Sequence, residues 1–159
     1  MGTSARPLLR HEQRTVLPIE QQRVWERVAS IEGINDELMP YMRMVFPRRH
    51  RGKTLEDIEP GMRVGKVWLH LGGVLPFDYD DLTITEFHPG VGFREDSTML
   101  SMPQWRHTRT LRSLDDESTE VLDVVEFAPR IPMFAPVARR IIAHLFRHRH
   151  RRLAKHFDA

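Results

Sequence analysis

The chain has 159 residues, 40% hydrophobic and 29% charged, with no cysteine and a formal net charge of +2. That length favours one domain able to bury its own core, and the composition excludes disulfides and thiolate metal centres. No apolar run approaches the roughly 18 residues of a membrane-spanning helix. The opening MGTSARPLLRHEQ has neither the apolar segment of a secretory signal nor a myristoylation pattern, so a cytoplasmic location is the expectation.

Residues 1–8 read as a flexible tail and residues 9–159 as a single domain. A first strand is predicted over 9–17, closed by Pro18. In IEQQRVWERVASIEGI, Ile19, Val24, Trp25, Val28 and Ile31 form an apolar stripe, with Gly33 as a stop. Asn35 is then the cap of a short second helix carrying Leu38 and Met39 and interrupted by Pro40, and MRMVFP reads as a second strand. Beyond the polar segment 48–61, strand-like runs follow at 63–71, 77–87, 92–100, 105–114 and 119–127. Gly72-Gly73, Pro89-Gly90, residues 101–103 and an acidic turn at 115–117 separate them, the signature of an antiparallel meander.

The last predicted element is one long amphipathic helix over 132–157, roughly 37 Å in length. Phe134, Val137, Ala138, Ile141, Ile142, Leu145, Phe146, Leu153 and Phe157 make its apolar face. Arg139, Arg140, Arg147, Arg149, Arg151, Arg152 and Lys155, with His144, His148, His150 and His156, make the opposite one. The expected class is α+β: a curved antiparallel sheet of six or seven strands around this helix, with two short helices after the first strand.

Two stretches carry a resemblance. They are PGMRVGKVWLHLGGVLPFDYDDLTITEFHPGVGFRED, and WRHTRTLRSLDDESTEVLDVVEFAPR with the helix end LFRHRHRRL. With the element order, they resemble the START-like, or SRPBCC, superfamily of polyketide cyclase/dehydrase-type and lipid-transfer proteins, and within it a bacterial ligand-binding group. The resemblance implies a helix-grip fold with a cavity between sheet and helix, and a small hydrophobic molecule as partner. It carries no catalytic signature and implies no cofactor, and fold alone does not assign an activity.

Period-two alternation places residues on that cavity. Phe93, Glu95, Ser97 and Met99 share a face, as do Trp105, His107, Arg109 and Leu111, and Val121, Asp123, Val125 and Phe127. With three-residue loops at 101–103 and 115–117, Arg109 falls opposite both Glu95 and Asp123, with His107 beside it. The Glu95–Arg109–Asp123 ladder reads either as a structural ion-pair network or as a polar recognition point in an apolar cavity. A catalytic version uses His107 or Glu95 as general acid or base. Met99, Trp105, Phe127 and Tyr79 are the expected apolar wall, Tyr79 because it shares a strand face with Phe77.

His144 and His148 stand i, i+4, but the arginines around them repel a cation and no carboxylate accompanies them, so no metal site is expected. The arginine run could meet phosphates, yet its aromatics face the core, so nucleic acid is not an expected partner. A homodimer is compatible with the sequence. The leading expectation is a binding protein for a small, largely hydrophobic molecule. The alternatives are a cyclase/dehydratase-like enzyme using the same cavity, and a nucleic-acid or anionic-surface binder acting through the basic helix end.

Overall fold

The computed structural model describes residues 7–159, so residues 1–6 of the expected tail lie outside the described residues. β1 (Leu9–Leu17) is followed by α1 (Gln21–Val28), α2 (Ile31–Leu38) and β2 (Met42–Val45). Two short 3-10 turns lead into β3 (Arg63–Leu71), β4 (Leu75–His88), β5 (Gly92–Met99), β6 (Gln104–Asp115) and β7 (Ser118–Ala128). A third 3-10 turn, Pro132–Phe134, opens α3 (Ala135–His156). The strands form one antiparallel seven-stranded sheet in the order β1-β7-β6-β5-β4-β3-β2. Register shifts within β3–β4, β4–β5 and β6–β7 add the local bends and extra twist that let a sheet curl around a helix. This is the expected helix-grip fold.

The two short helices divide differently from the sequence reading. The break falls at Ser30, not Gly33: Ser30 Oγ accepts a hydrogen bond from Gly33 N at 2.9 Å and caps α2. Gly33 sits inside α2 because a Cβ there would lie 1.9 Å from the Arg27 carbonyl oxygen. Glycine is needed for that close approach of α1, not for a helix stop. No helix among the described residues is long and apolar enough to cross a membrane.

The β6–β7 register is the expected one, with Arg109 opposite Asp123, His107 opposite Val125 and Trp105 opposite Phe127. The β5–β6 register is displaced by two residues: Glu95 faces His107 and Phe93 faces Arg109. The cause is Asp78 on β4. Its carboxylate accepts from Leu100 N (2.9 Å), Ser101 N (3.3 Å) and the Ser101 hydroxyl, holding residues 98–104 as a wide loop in place of a tight one. An even displacement keeps every side chain on its face, so Glu95 still points inward but does not meet Arg109.

The interior has two apolar parts. One gathers Val24, Trp25 and Val28 of α1 and Ile34 and Leu38 of α2 with Val64, Val67, Ile84, Phe93, Leu111 and Leu153. The other gathers Leu69, Met99, Trp105, Val125 and Phe127 of the sheet with Ala138, Ile142 and Phe146 of α3. Between them lies a band of buried charge.

Candidate functional site

The second apolar part surrounds a cavity of about 570 Å³ between the concave sheet and the first half of α3, within the range of small-molecule sites. Leu69, Met99, Met102 and Trp105 line it from the sheet side, and Val137, Ala138, Ile141, Ile142, Leu145 and Phe146 form the helix side. Its mouth carries Phe77, Leu100, Ile131, Phe134, Val137 and Ile141, which are 44%, 51%, 49%, 50%, 51% and 58% exposed. Apolar residues left this open at a rim mark a binding groove more often than a packing defect. Charged residues interrupt the apolar wall: Asp78, Asp80, Glu95 and Arg149, with Arg130 beside the Leu100 carbonyl.

Beneath Glu95 and Arg149 lies the band of charge, centred on Arg109. The fully buried Arg109 guanidinium donates to Asp123 through Nε (2.8 Å) and Nη2 (2.6 Å) and to Glu37 through Nη1 (2.6 Å) and Nη2 (2.9 Å). Arg149 Nε reaches the same Glu37 at 3.0 Å, and its guanidinium lies 5.0 Å from the Phe146 ring centroid. His150 Nε2 donates to Asp123 Oδ2 at 2.8 Å. His107 Nδ1 lies 3.0 Å from Glu95 Oε1 and Nε2 lies 2.8 Å from Asp123 Oδ1. Two carboxylate acceptors call for two N–H donors, so His107 is an imidazolium here. Phe93 and Phe146 hold its ring edge-on, at centroid distances of 5.7 and 5.2 Å.

Burial opposes every charge in this band, and partners decide the outcome. For Asp123, Arg109 and then His107 outweigh burial and hold its carboxyl well below the usual range. Arg109 and Arg149 do the same for Glu37, which is held low. Asp123 and Glu95 raise His107 above its ordinary value in spite of burial.

Asp80 is the exception. It is 2% exposed, and its Oδ1 has no hydrogen-bond partner among the described residues. Burial and then the Glu95 charge push its pKa well above the ordinary carboxylate value, and a pull from the Ser97 hydroxyl does not offset them. Ser97 Oγ and Trp105 Nε1 are likewise buried without a partner within hydrogen-bond distance.

Of the predicted site residues, Glu95, Met99 and Trp105 line the cavity. His107, Arg109 and Asp123 come together as expected but lie beneath its surface, and Phe127 is fully buried behind Trp105 at a ring distance of 6.1 Å. Tyr79 stands outside the cavity. It faces away from the inward Asp78 and Asp80, meets Trp68 edge-on at a centroid distance of 5.9 Å and lies under Lys66 Nζ at 4.6 Å. The expectation that it shares the Phe77 face fails because the β3–β4 register shifts between Leu69 and His70.

Arg149, His148 and His150, assigned from sequence to the outer basic face, are buried. Arg149 lies four residues from both Leu145 and Leu153, on the inner stripe. His148 Nε2 donates to the Met39 carbonyl at 2.7 Å, and His144 Nε2 is 3.0 Å from the Tyr41 hydroxyl. Glu37 and Asp80 were missed altogether. Each had a signal: Glu37 shares the α2 stripe with Ile34 and Leu38, and Asp80 alternates in step with Leu82 and Ile84.

Several solved structures share this architecture. Protein CV1439 from Chromobacterium violaceum aligns with a TM-score of 0.70 at 15% identity, covering 94% of this chain and 97% of that one. A START superfamily protein from Mycobacterium smegmatis aligns at 0.68 and 9% identity, over 94% and 97%. The Zhui aromatase/cyclase from Streptomyces sp. R1128 aligns at 0.70 and 14% identity, over 95% and 94%. At these identities the likeness establishes the START-like fold. No curated protein matches the sequence. Residues 15–157 match a family described as a domain of unknown function, DUF8410.

Proposed function

The chain belongs to the DUF8410 family, and we propose that it binds a small, largely hydrophobic molecule in the cavity between the sheet and α3. The observation that carries this reading is the combination of an apolar cavity of about 570 Å³ with an exposed apolar rim on α3 and the β5–β6 loop. Folding alone gains nothing from leaving Phe134, Val137 and Ile141 in water, whereas a ligand seated against them removes that apolar area at about 25 cal/mol per Å². Glu95, Met99 and Trp105 are the sequence-predicted residues that such a ligand meets directly. His107, Arg109 and Asp123 act from behind, fixing the Glu95 carboxylate and the position of Arg149 through Glu37.

A neutral apolar dye, Nile red, tests the reading. Titration should give one saturable site per chain. Ala138→Trp, which projects an indole into the cavity from the helix side, should weaken binding at least tenfold while the circular dichroism spectrum stays unchanged. Equal binding by this variant contradicts the assignment.

A further inference from the structure

Resting on that reading, we infer that the ligand carries a protonated amine which pairs with Asp80 at the deep end of the cavity, its apolar body lying against α3. The side chains at this end set the requirement. Asp80 lines the cavity, is almost fully buried, and leaves Oδ1 without a hydrogen-bond partner, an arrangement that costs stability unless something enters to use it. Glu95 lines the same wall and receives a bond from His107 alone. Ser97, on the same strand face between Glu95 and Met99, carries a second unpartnered oxygen.

The charged groups that act most strongly on Asp80 are all carboxylates: Glu95, then Asp78 and Asp81. Asp78 is spent on the β5–β6 loop and Asp81 on Arg63. Of the cations lining the cavity, Arg149 is tied to Glu37 and Arg130 donates to the Leu100 carbonyl. Burial and the Glu95 charge favour the neutral carboxyl of Asp80 in the empty cavity; a ligand ammonium reverses that preference, so that the Asp80 proton leaves to solvent and the carboxylate takes a charge-assisted bond. A ligand carboxylate would meet repulsion there.

The test compares three probes of equal chain length, decylamine, decanol and decanoate, by isothermal titration calorimetry at neutral pH below their aggregation limits. Decylamine is expected to bind at least tenfold tighter than decanol, and decanoate weakest. Asp80→Asn should abolish the amine preference, so that decylamine binds no tighter than decanol. Because Asn keeps the shape of the side chain and its Oδ1 has no hydrogen bond to lose, this variant should fold. Glu95→Gln provides a second variant and should reduce the preference without removing it. Equal or tighter binding of decanol or decanoate by the unmodified protein overturns the inference and leaves the apolar cavity intact. An amine preference that survives Asp80→Asn overturns the assignment to Asp80. Failure of all three probes to bind overturns the cavity reading and this inference with it.

Discussion

Asp123 and Asp80 are both buried carboxylates on the concave face, and they meet burial in opposite ways. Asp123 collects two bonds from Arg109, one from His107 and one from His150; Asp80 Oδ1 has none. The first therefore stays ionised, while the second is pushed toward its neutral form. Linkage turns this into opposite pH dependences. Asp123 and Glu37, held low, contribute stability that is present above about pH 4 and lost as pH falls through their folded pKa values. His107, held above 6.5, contributes stability that is full below that value and lost as pH rises through its folded pKa. Asp80, held high, costs stability increasingly as pH rises from about 4 toward its folded pKa. Urea unfolding of Asp80→Asn should therefore show a protein equal to the unmodified one near pH 4 and more stable than it at neutral pH. A constant difference across that range would mean that burial does not raise the pKa of Asp80.

Arg109 is the other residue whose removal is informative. Arg109→Met leaves Glu37 and Asp123 buried without their shared cation, a change that costs about 3–5 kcal/mol in buried ion pairs. Urea denaturation should show a loss of that size or outright unfolding. Retained stability with lost probe binding would instead place Arg109 at the ligand, as the recognition reading of the ladder required.

At the scale of elements, α3 does two jobs along its length of about 33 Å. Its first half, from Val137 to Leu145, faces the cavity, and its second half brings Arg149, His150 and Leu153 onto the charged band and the solid core. β5 depends on a close approach: a Cβ on Gly92 would lie 2.2 Å from the Arg109 carbonyl oxygen. Gly92→Ala must push β5 and β6 apart, and overpacking of this kind costs about 1–3 kcal/mol, read as a fall in Tm.

The strands were legible in the sequence because alternation and turn residues agree: β1 and β3 have the predicted bounds, and β4 to β7 differ by one or two residues. The β6–β7 pairing was legible because its turn is local. The β5–β6 pairing was not, since the loop is set by Asp78, more than 20 positions away in the chain. The site was read in part for a related reason. Arg109 and Asp123 sit on clean alternating strands, whereas Glu37 and Arg149 occupy single positions on apolar helical stripes, where a lone charge resembles a solvated edge. Asp80 was hidden in the run Asp78-Tyr79-Asp80-Asp81, whose aromatic member drew the inward assignment to the wrong face.

Across the whole molecule, the buried band divides labour. On one side α1, α2 and the sheet close into a packed core; on the other the sheet and α3 stay apart around the cavity. Charges that hold the fold thus also build the deep wall of the site. The arginines of α3 outside the band, among them Arg139, Arg140 and Arg147, are solvent-facing. Binding of a neutral apolar molecule should change less than twofold between 50 and 500 mM salt, because burial of apolar surface is not screened. A steep loss of affinity with salt would move the binding site to the basic helix face.

Native mass spectrometry of the purified protein, repeated after denaturation, tests most directly whether a small apolar molecule occupies the space between sheet and helix. One small molecule per chain is expected, either co-purified or taken up from an added apolar probe, released on denaturation and absent from Ala138→Trp. A mass equal to that of the polypeptide alone under both conditions, or an adduct that persists in Ala138→Trp, would contradict that occupancy.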